Sequence, residues 1–191
     1  MDSTEMYALL KKCGAIQEGH FLLTSGLHSG LYVEKFNVLQ HPMYTEQLCA
    51  EIVRRFQNDK VQVVVGPMTG GIILSHEVGK QLGCRALFTE RENGVMCLRR
   101  GFKIAEGERV LVVEDVVTTG GSVMEVFQAI EHGKPNIIGV GLLVERSRQD
   151  IDFGARKEVL LKLDIPSYSK AECPYCRLGS SLLKPGSKTV F

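Results

Sequence analysis

The residues best placed to do chemistry lie between Val110 and Val123, in the run VLVVEDVVTTGGSV. An apolar stretch ends in two adjacent carboxylates, Glu114 and Asp115. Val116 and Val117 follow, then Thr118, Thr119, Gly120, Gly121 and Ser122. Glycines let a backbone come close to an anion, and the free N–H groups at a helix start hold phosphate with help from the helix dipole. The three hydroxyls add donors. The two carboxylates are acceptors suited to a vicinal diol such as that of a ribose. A plain strand-to-helix turn accounts for the glycines and the serine. It leaves unexplained a charged pair at the end of an apolar strand, where charge needs a purpose or a partner. The spacing is neither that of a Walker A loop nor that of a Gly-x-Gly-x-x-Gly dinucleotide turn.

The elements around this segment suggest how it is held. Arg109 to Val113 and Val61 to Val65 are short apolar runs, as in strands buried on both faces. Each leads into a turn and then a helix. Met68 to Gly71 opens a helix reaching Leu82. Ser122 and Glu125 form a plausible capping box for a helix bearing Val123, Val126, Phe127 and Ile130, with Gly133 as its expected C-cap. Pro42 suits the first turn of a helix whose apolar face is Leu48, Cys49, Ile52, Val53 and Phe56. A shorter helix is expected over Thr4 to Lys12. Gly14 to Val38 reads as a loop-rich stretch with short strands, and Arg91 to Ile104 as a mobile hairpin or loop. Further strands are expected at Arg85 to Phe88, Asn136 to Val144 and Glu158 to Leu163. Alternating strands and helices predict an α/β fold with a parallel sheet covered by helices. In such sheets ligands bind beyond the carboxyl ends of the strands, where both turns lie.

The composition narrows the class. With 23 basic and 22 acidic residues the formal net charge is +1, which gives no reason to expect a nucleic acid as partner. The 44% hydrophobic content supports a buried core. No apolar run is long enough to span a membrane, and a cytoplasmic protein is expected. Six scattered cysteines point to free thiols in a reducing compartment. Cys173-Pro-Tyr-Cys176 has the spacing of half a zinc site. No second cysteine or histidine pair accompanies it in sequence, so a tight turn with two ordinary thiols is the expectation. His20, His28, His41, His76 and His132 are dispersed, with surface or capping roles expected and His28 the one to watch near a substrate. Lys35, Arg54-Arg55 and Arg156-Lys157 read as solvated charge. Arg99-Arg100 stands between a solvated pair and a site.

The segment around Glu114 to Ser122 resembles, nearly residue for residue, the phosphoribosyl pyrophosphate (PRPP) signature of type I phosphoribosyltransferases. The resemblance extends over almost the whole chain and points to the orotate-specific branch. GHFLLTSGLHSGL, Gly19 to Leu31, is similar to the hood that covers orotate there. GPMTGG, Gly66 to Gly71, is similar to the pyrophosphate loop, placing Thr69 and Gly70 in it. TERENGVMCLRRGF, Thr89 to Phe102, stands where the family carries its flexible catalytic loop. LLVERSRQ, Leu142 to Gln149, is similar to the stretch whose arginine meets the orotate carboxylate, here Arg146. Family lysines are replaced by Thr24 in the hood, by Gly70 in the pyrophosphate loop and by Glu92 after the leading Arg91; Arg99, Arg100 or Lys103 would supply the positive charge.

The resemblance implies a single phosphoribosyltransferase domain over residues 1–191, with a PRPP-binding core at 41–157 and a hood built from 1–40 and part of 158–191. It implies transfer of ribose 5-phosphate from PRPP to orotate. PRPP would be bound by Glu114 to Ser122, Thr69, Gly70, Arg91 and Arg99, and orotate by Thr118 and Arg146. Asp115 and Arg91 would be catalytic. Mg2+ would be carried by PRPP with Asp115 nearby, held by no protein side chain directly. A homodimer is implied, with the loop reaching the neighbouring subunit's site. A purine-specific relative and a PRPP-sensing regulator are the alternatives; the first needs no carboxylate partner, and the second would show a basic face.

Overall fold

A computed structural model describes residues 1–23, 25–147 and 149–185. Its larger sheet has six strands: β3 (Val63–Pro67), β4 (Arg85–Glu92), β5 (Val95–Leu98), β6 (Arg109–Val117), β7 (Asn136–Glu145) and β8 (Lys157–Lys162). Their order is β5-β4-β3-β6-β7-β8, parallel except for β5. Helices α3 (Pro42–Phe56), α4 (Gly70–Leu82) and α5 (Gly121–Ile130) cover it. A smaller antiparallel sheet joins β1 (Ile16–Leu22), β2 (His28–Val33) and β9 (Ser167–Tyr168). Helix α1 (Ser3–Lys12) precedes it, α2 (Phe36–Leu39) links it to α3, and α6 (Pro174–Arg177) follows it.

Strand alternation divides the core into two apolar layers. Val64, Leu111 and Val113 face one side, with Met6 and Leu10 of α1, Leu48, Ile52 and Phe56 of α3 and Leu74 and Val78 of α4. Val63, Val65, Val110 and Val112 face the other, with Val123, Val126 and Ile130 of α5 and Phe153. Side chains at i and i+1 of a strand point to opposite faces, so an unbroken valine run satisfies both layers. That is why these strands read as continuous hydrophobic segments.

Chain progression reverses between β3 and β6. From β3 the chain moves outward to β4 and β5; from β6 it moves the other way to β7 and β8. The carboxyl ends of β3 and β6 therefore border a topological switch point, the place where open α/β sheets leave a crevice for a ligand.

Several expectations need correction. Strand β6 runs on to Val117, so Glu114 and Asp115 lie within the ladder, Glu114 opposite Leu142 of β7. No capping box forms on α5: its N-cap is Gly120, in the left-handed region at φ 81°, without a side-chain cap. Ser122 sits inside the first turn, and Glu125 is turned to Arg91. Gly133 ends a 3-10 turn and Lys134 takes the left-handed φ of 46°. Glycine is needed at 133 because a Cβ there would stand 2.6 Å from the Ile104 carbonyl oxygen. The Arg91–Ile104 segment contains an ordered hairpin turned by Asn93 and Gly94 at φ 52° and 84°, the positive-φ pair that two-residue hairpin turns demand.

Candidate active site at the sheet switch point

Two helix starts converge on the crevice. Thr69 is the N-cap of α4 and Gly120 that of α5, and neither helix has a side-chain cap. Their leading N–H groups are thus left for a ligand. Val116, Val117, Thr118, Thr119, Gly120, Gly121 and Ser122 line a concavity of about 50 Å³. Thr118, Thr119, Gly121 and Ser122 are exposed there. Gly120 is required twice over: its φ is positive, and a Cβ would meet Ile151 and Phe153 at 2.9 Å.

The acid pair is buried beside this cradle, Glu114 at 6% and Asp115 at 1% exposure. The Asp115 N–H donates to Glu114 Oε1 at 3.0 Å, and the Val116 N–H to Asp115 Oδ1 at 2.6 Å. Burial, reinforced by the neighbouring Asp115 charge, pushes the Glu114 carboxyl up to about 8. Burial also raises Asp115, against the pull of Lys35. The Lys35 ammonium lies 2.9 Å from both Asp115 oxygens, donating a well-directed hydrogen bond to Oδ1. Lys35 is therefore not merely solvated: from the junction of β2 and α2 it brings a positive charge to the acid pair.

Gly70 leaves the space that the Asp115 carboxylate occupies. A Cβ on Gly70 would lie 1.7 Å from Asp115 Oδ2. The glycine standing where the resemblance places a lysine is what lets Asp115 reach its position. Thr24, the other such position, lies outside the described residues.

Arg146 follows β7. Its main-chain N–H donates to the Val117 carbonyl at 2.8 Å, fixing it beside the end of β6. Its guanidinium Nε is buried and has no hydrogen-bond partner among the described residues. Burial depresses its pKa, partly offset by Tyr32 of β2. Arg146 is itself half-buried, and a cation with a buried unmet donor is costly unless an anion completes it. The preceding residue is braced: fully buried Glu145 meets Lys157 at 3.0 Å and Lys162 at 3.2 Å. Lys157, 14% exposed, is thus a structural partner rather than solvated charge.

The basic residues of the hairpin are engaged with carboxylates. Arg91 donates to the Gly94 carbonyl and to Glu125 of α5. Arg99 pairs with Glu92 at 3.1 Å, and Arg100 grips Glu90 through two bonds of 2.8 and 2.9 Å. Lys103 is exposed. Arg91 thereby reaches α5 near the cradle, while Arg100 is committed to its own hairpin. Arg156 pairs with Asp59 and Glu158 and stacks over Phe56. Arg55 bonds the Val159 carbonyl.

The histidine expectation fails for two residues. His20 and His28 are 4% and 3% exposed and adjoin Cys173 and Cys176. His28 is turned to that cluster, with His20 Nε2 2.7 Å from its Nδ1. Sequence reading missed this pairing, and also Lys35 and Tyr32. Alternation along the two short strands was the available signal, but the register that unites them is set by a bulge between Glu18 and Phe21.

A crevice with two uncapped helix starts and a buried acid pair defines the class, and comparison with known proteins agrees. Residues 37–153 match the family of the phosphoribosyl transferase domain, and the chain belongs to that family. It is 52% identical over 190 residues to orotate phosphoribosyltransferase of Pelotomaculum thermopropionicum, covering all of both chains. It is 48% identical over 180 residues to orotate phosphoribosyltransferase of Thermotoga maritima, covering 94% of this chain and 96% of that one. Among solved structures, orotate phosphoribosyltransferase from Aeropyrum pernix superposes with a TM-score of 0.70 at 22% identity, over 83% of this chain and 93% of that one. Adenine phosphoribosyltransferase from Rhodothermus marinus superposes at 0.67 and 20% identity, over 85% and 100%. The fold is that of type I phosphoribosyltransferases, shared by enzymes for different bases.

Proposed function

We propose that this protein is an orotate phosphoribosyltransferase: it transfers ribose 5-phosphate from PRPP to orotate, releasing pyrophosphate. The observation that carries the reaction class is the uncapped cradle at Val116–Ser122 beside the buried Glu114–Asp115 pair. The base is supported by the full-length relatives and by Arg146, whose half-buried guanidinium offers a planar fork for a carboxylate.

The orotate nitrogen forms its bond to the anomeric carbon as the bond to pyrophosphate oxygen breaks. Little covalent work falls to the protein, which positions the reactants and stabilises charge. The α5 N–H groups with Thr118, Thr119 and Ser122 hold the 5-phosphate. Glu114 and Asp115 accept from the ribose hydroxyls. Thr69 and Gly70, at the start of α4, face the pyrophosphate, and Arg91 and Arg99 neutralise it as it leaves. Arg146 and Thr118 orient orotate under the small sheet. Glu114 and Asp115, hard oxygen donors faced by the Lys35 ammonium, suit the neighbourhood of a magnesium ion. Mg2+ would ride on PRPP with Asp115 close by, supplying charge neutralisation for the leaving group. In the same reading the chain works as a homodimer, with the exposed β4–β5 hairpin turned toward the neighbouring site.

Orotate consumption, followed by ultraviolet absorbance with PRPP and Mg2+ and with hypoxanthine, adenine and uracil in parallel, tests the reading. Turnover of orotate alone is expected. Turnover of another base would retain the PRPP site and remove Arg146 from its role.

A further inference from the structure

We propose that His20, His28, Cys173 and Cys176 bind one zinc(II) ion, a structural site that fastens the C-terminal segment onto the small sheet. The four are brought together from β1, β2 and the turn into α6, and their ligand atoms all lie within 4.8 Å of one another. Among the described residues this is the one group of three or more histidines, cysteines or acids with such spacing. It lies outside the PRPP site, and no step of the reaction uses it.

The orientation of His20 and the spacing of the four ligand atoms are what zinc needs. His20 Nδ1 is 3.0 Å from the Ser180 carbonyl oxygen. A carbonyl only accepts, so Nδ1 carries the proton and Nε2 presents its lone pair to the cluster. An outer carbonyl fixing the tautomer of a ligating histidine is a recurrent part of zinc sites. From His20 Nε2 the sulfurs of Cys173 and Cys176 lie at 3.5 and 3.7 Å, and Cys176 Sγ is 3.3 Å from His28 Nδ1. Zinc–nitrogen bonds of about 2.0–2.1 Å and zinc–sulfur bonds of about 2.3 Å give tetrahedral N···S edges of roughly 3.5 Å. The N···N separation, 2.7 Å, would widen to about 3.3 Å around an ion with those bond lengths. Two thiolates and two neutral imidazoles cancel the charge of zinc(II), and both thiol protons pass to solvent on binding. A tetrahedral S2N2 set selects zinc over harder divalent ions.

The surroundings are built to hold this geometry. Cys173 is fully buried and all six cysteines are free. The Tyr175 ring stacks on His20 with centroids 5.7 Å apart. It lies across Gly30, where a Cβ would meet its hydroxyl at 2.0 Å. Beyond the turn, Leu183 exchanges main-chain bonds with β1: its N–H donates to the His20 carbonyl at 2.7 Å, and its carbonyl accepts from Leu22 at 2.8 Å.

The test is metal analysis of the full-length protein, purified without an affinity tag that binds metal. About one zinc per chain is expected, with cobalt(II) replacement giving the intense visible absorption of a tetrahedral thiolate site. Cys176→Ser and His28→Ala should each lower zinc content at least about tenfold, whereas Cys84→Ser should leave it unchanged. Wild-type protein that is folded by circular dichroism, yet zinc-free and unresponsive to added zinc or cobalt, would overturn the site in favour of hydrogen-bonded thiols. A Cys173–Cys176 disulfide in protein isolated under reducing conditions would do the same, as would zinc retained in full by both variants. Because the wild-type measurements stand alone, a variant that fails to fold does not blur the result.

Discussion

At the residue scale the site is defined by charges kept from water. Asp115 immediately precedes the cradle and accepts from the Val116 N–H, and Asp115→Asn should lower kcat/KM for PRPP by about 100-fold or more with the fold intact by circular dichroism; unchanged kinetics would remove it from the ribose clamp. Arg146→Ala removes a charged donor pair, so KM for orotate should rise roughly 10- to 100-fold while KM for PRPP moves little. Equal changes in both would make Arg146 structural. Glu114 has a consequence for pH. A carboxyl raised by burial from 4.5 to about 8 binds its proton more tightly in the native state. It therefore withdraws stability as pH climbs through that interval, by up to about 1.4 kcal/mol per pH unit. Glu114→Gln should gain thermal stability relative to wild type between those limits and show no relative gain below them. A difference in melting temperature that stays flat with pH would refute the assignment.

At the scale of elements, the apolar grammar of the chain was readable and the register was not. The runs Val63–Val65 and Val110–Val113 announced buried parallel strands because both neighbouring layers are apolar. The α3 face and the Pro42 start were legible from 3.6-residue spacing. The end of β6 was misjudged because two adjacent acids look like a strand terminus; here they remain in the ladder. The capping box was misjudged because Ser122 and Glu125 satisfy its pattern, while the left-handed Gly120 caps the helix two residues earlier. Lys35, the His–Cys cluster and Tyr32 were hidden because each depends on a partner far along the chain. Gly120→Ala tests the element directly. With a positive φ and a Cβ crowding Ile151 and Phe153, it should lose more than about 1 kcal/mol in denaturant unfolding and weaken PRPP binding. Wild-type stability would show that the turn tolerates a side chain.

At the scale of the molecule, the two sheets divide the labour: the large one ends in the Val116–Ser122 turn and the acid pair, while β2 of the small one carries Tyr32 and leads to Lys35, which meets Asp115. No helix among the described residues is long and apolar enough to cross a membrane. A ligand that bridges such parts binds the native state alone, so saturating PRPP with Mg2+ should raise the melting temperature. At about 100 times Kd the gain is roughly 2.7 kcal/mol, or on the order of 5–10 °C for a chain of this size. Orotate without PRPP should shift it less; the reverse order would place the base site ahead of the phosphate site.

The meeting of Gly70, Asp115 and Lys35 carries one more consequence. A side chain at 70 and the present Asp115 carboxylate position exclude each other, so a lysine introduced there requires the carboxylate to turn away. Gly70→Lys alone displaces the acid; Lys35→Ala alone strips its counter-charge. The two substitutions should therefore be epistatic, which a double-mutant cycle on kcat/KM for PRPP measures; additive effects would show that Gly70 and Lys35 act on Asp115 independently.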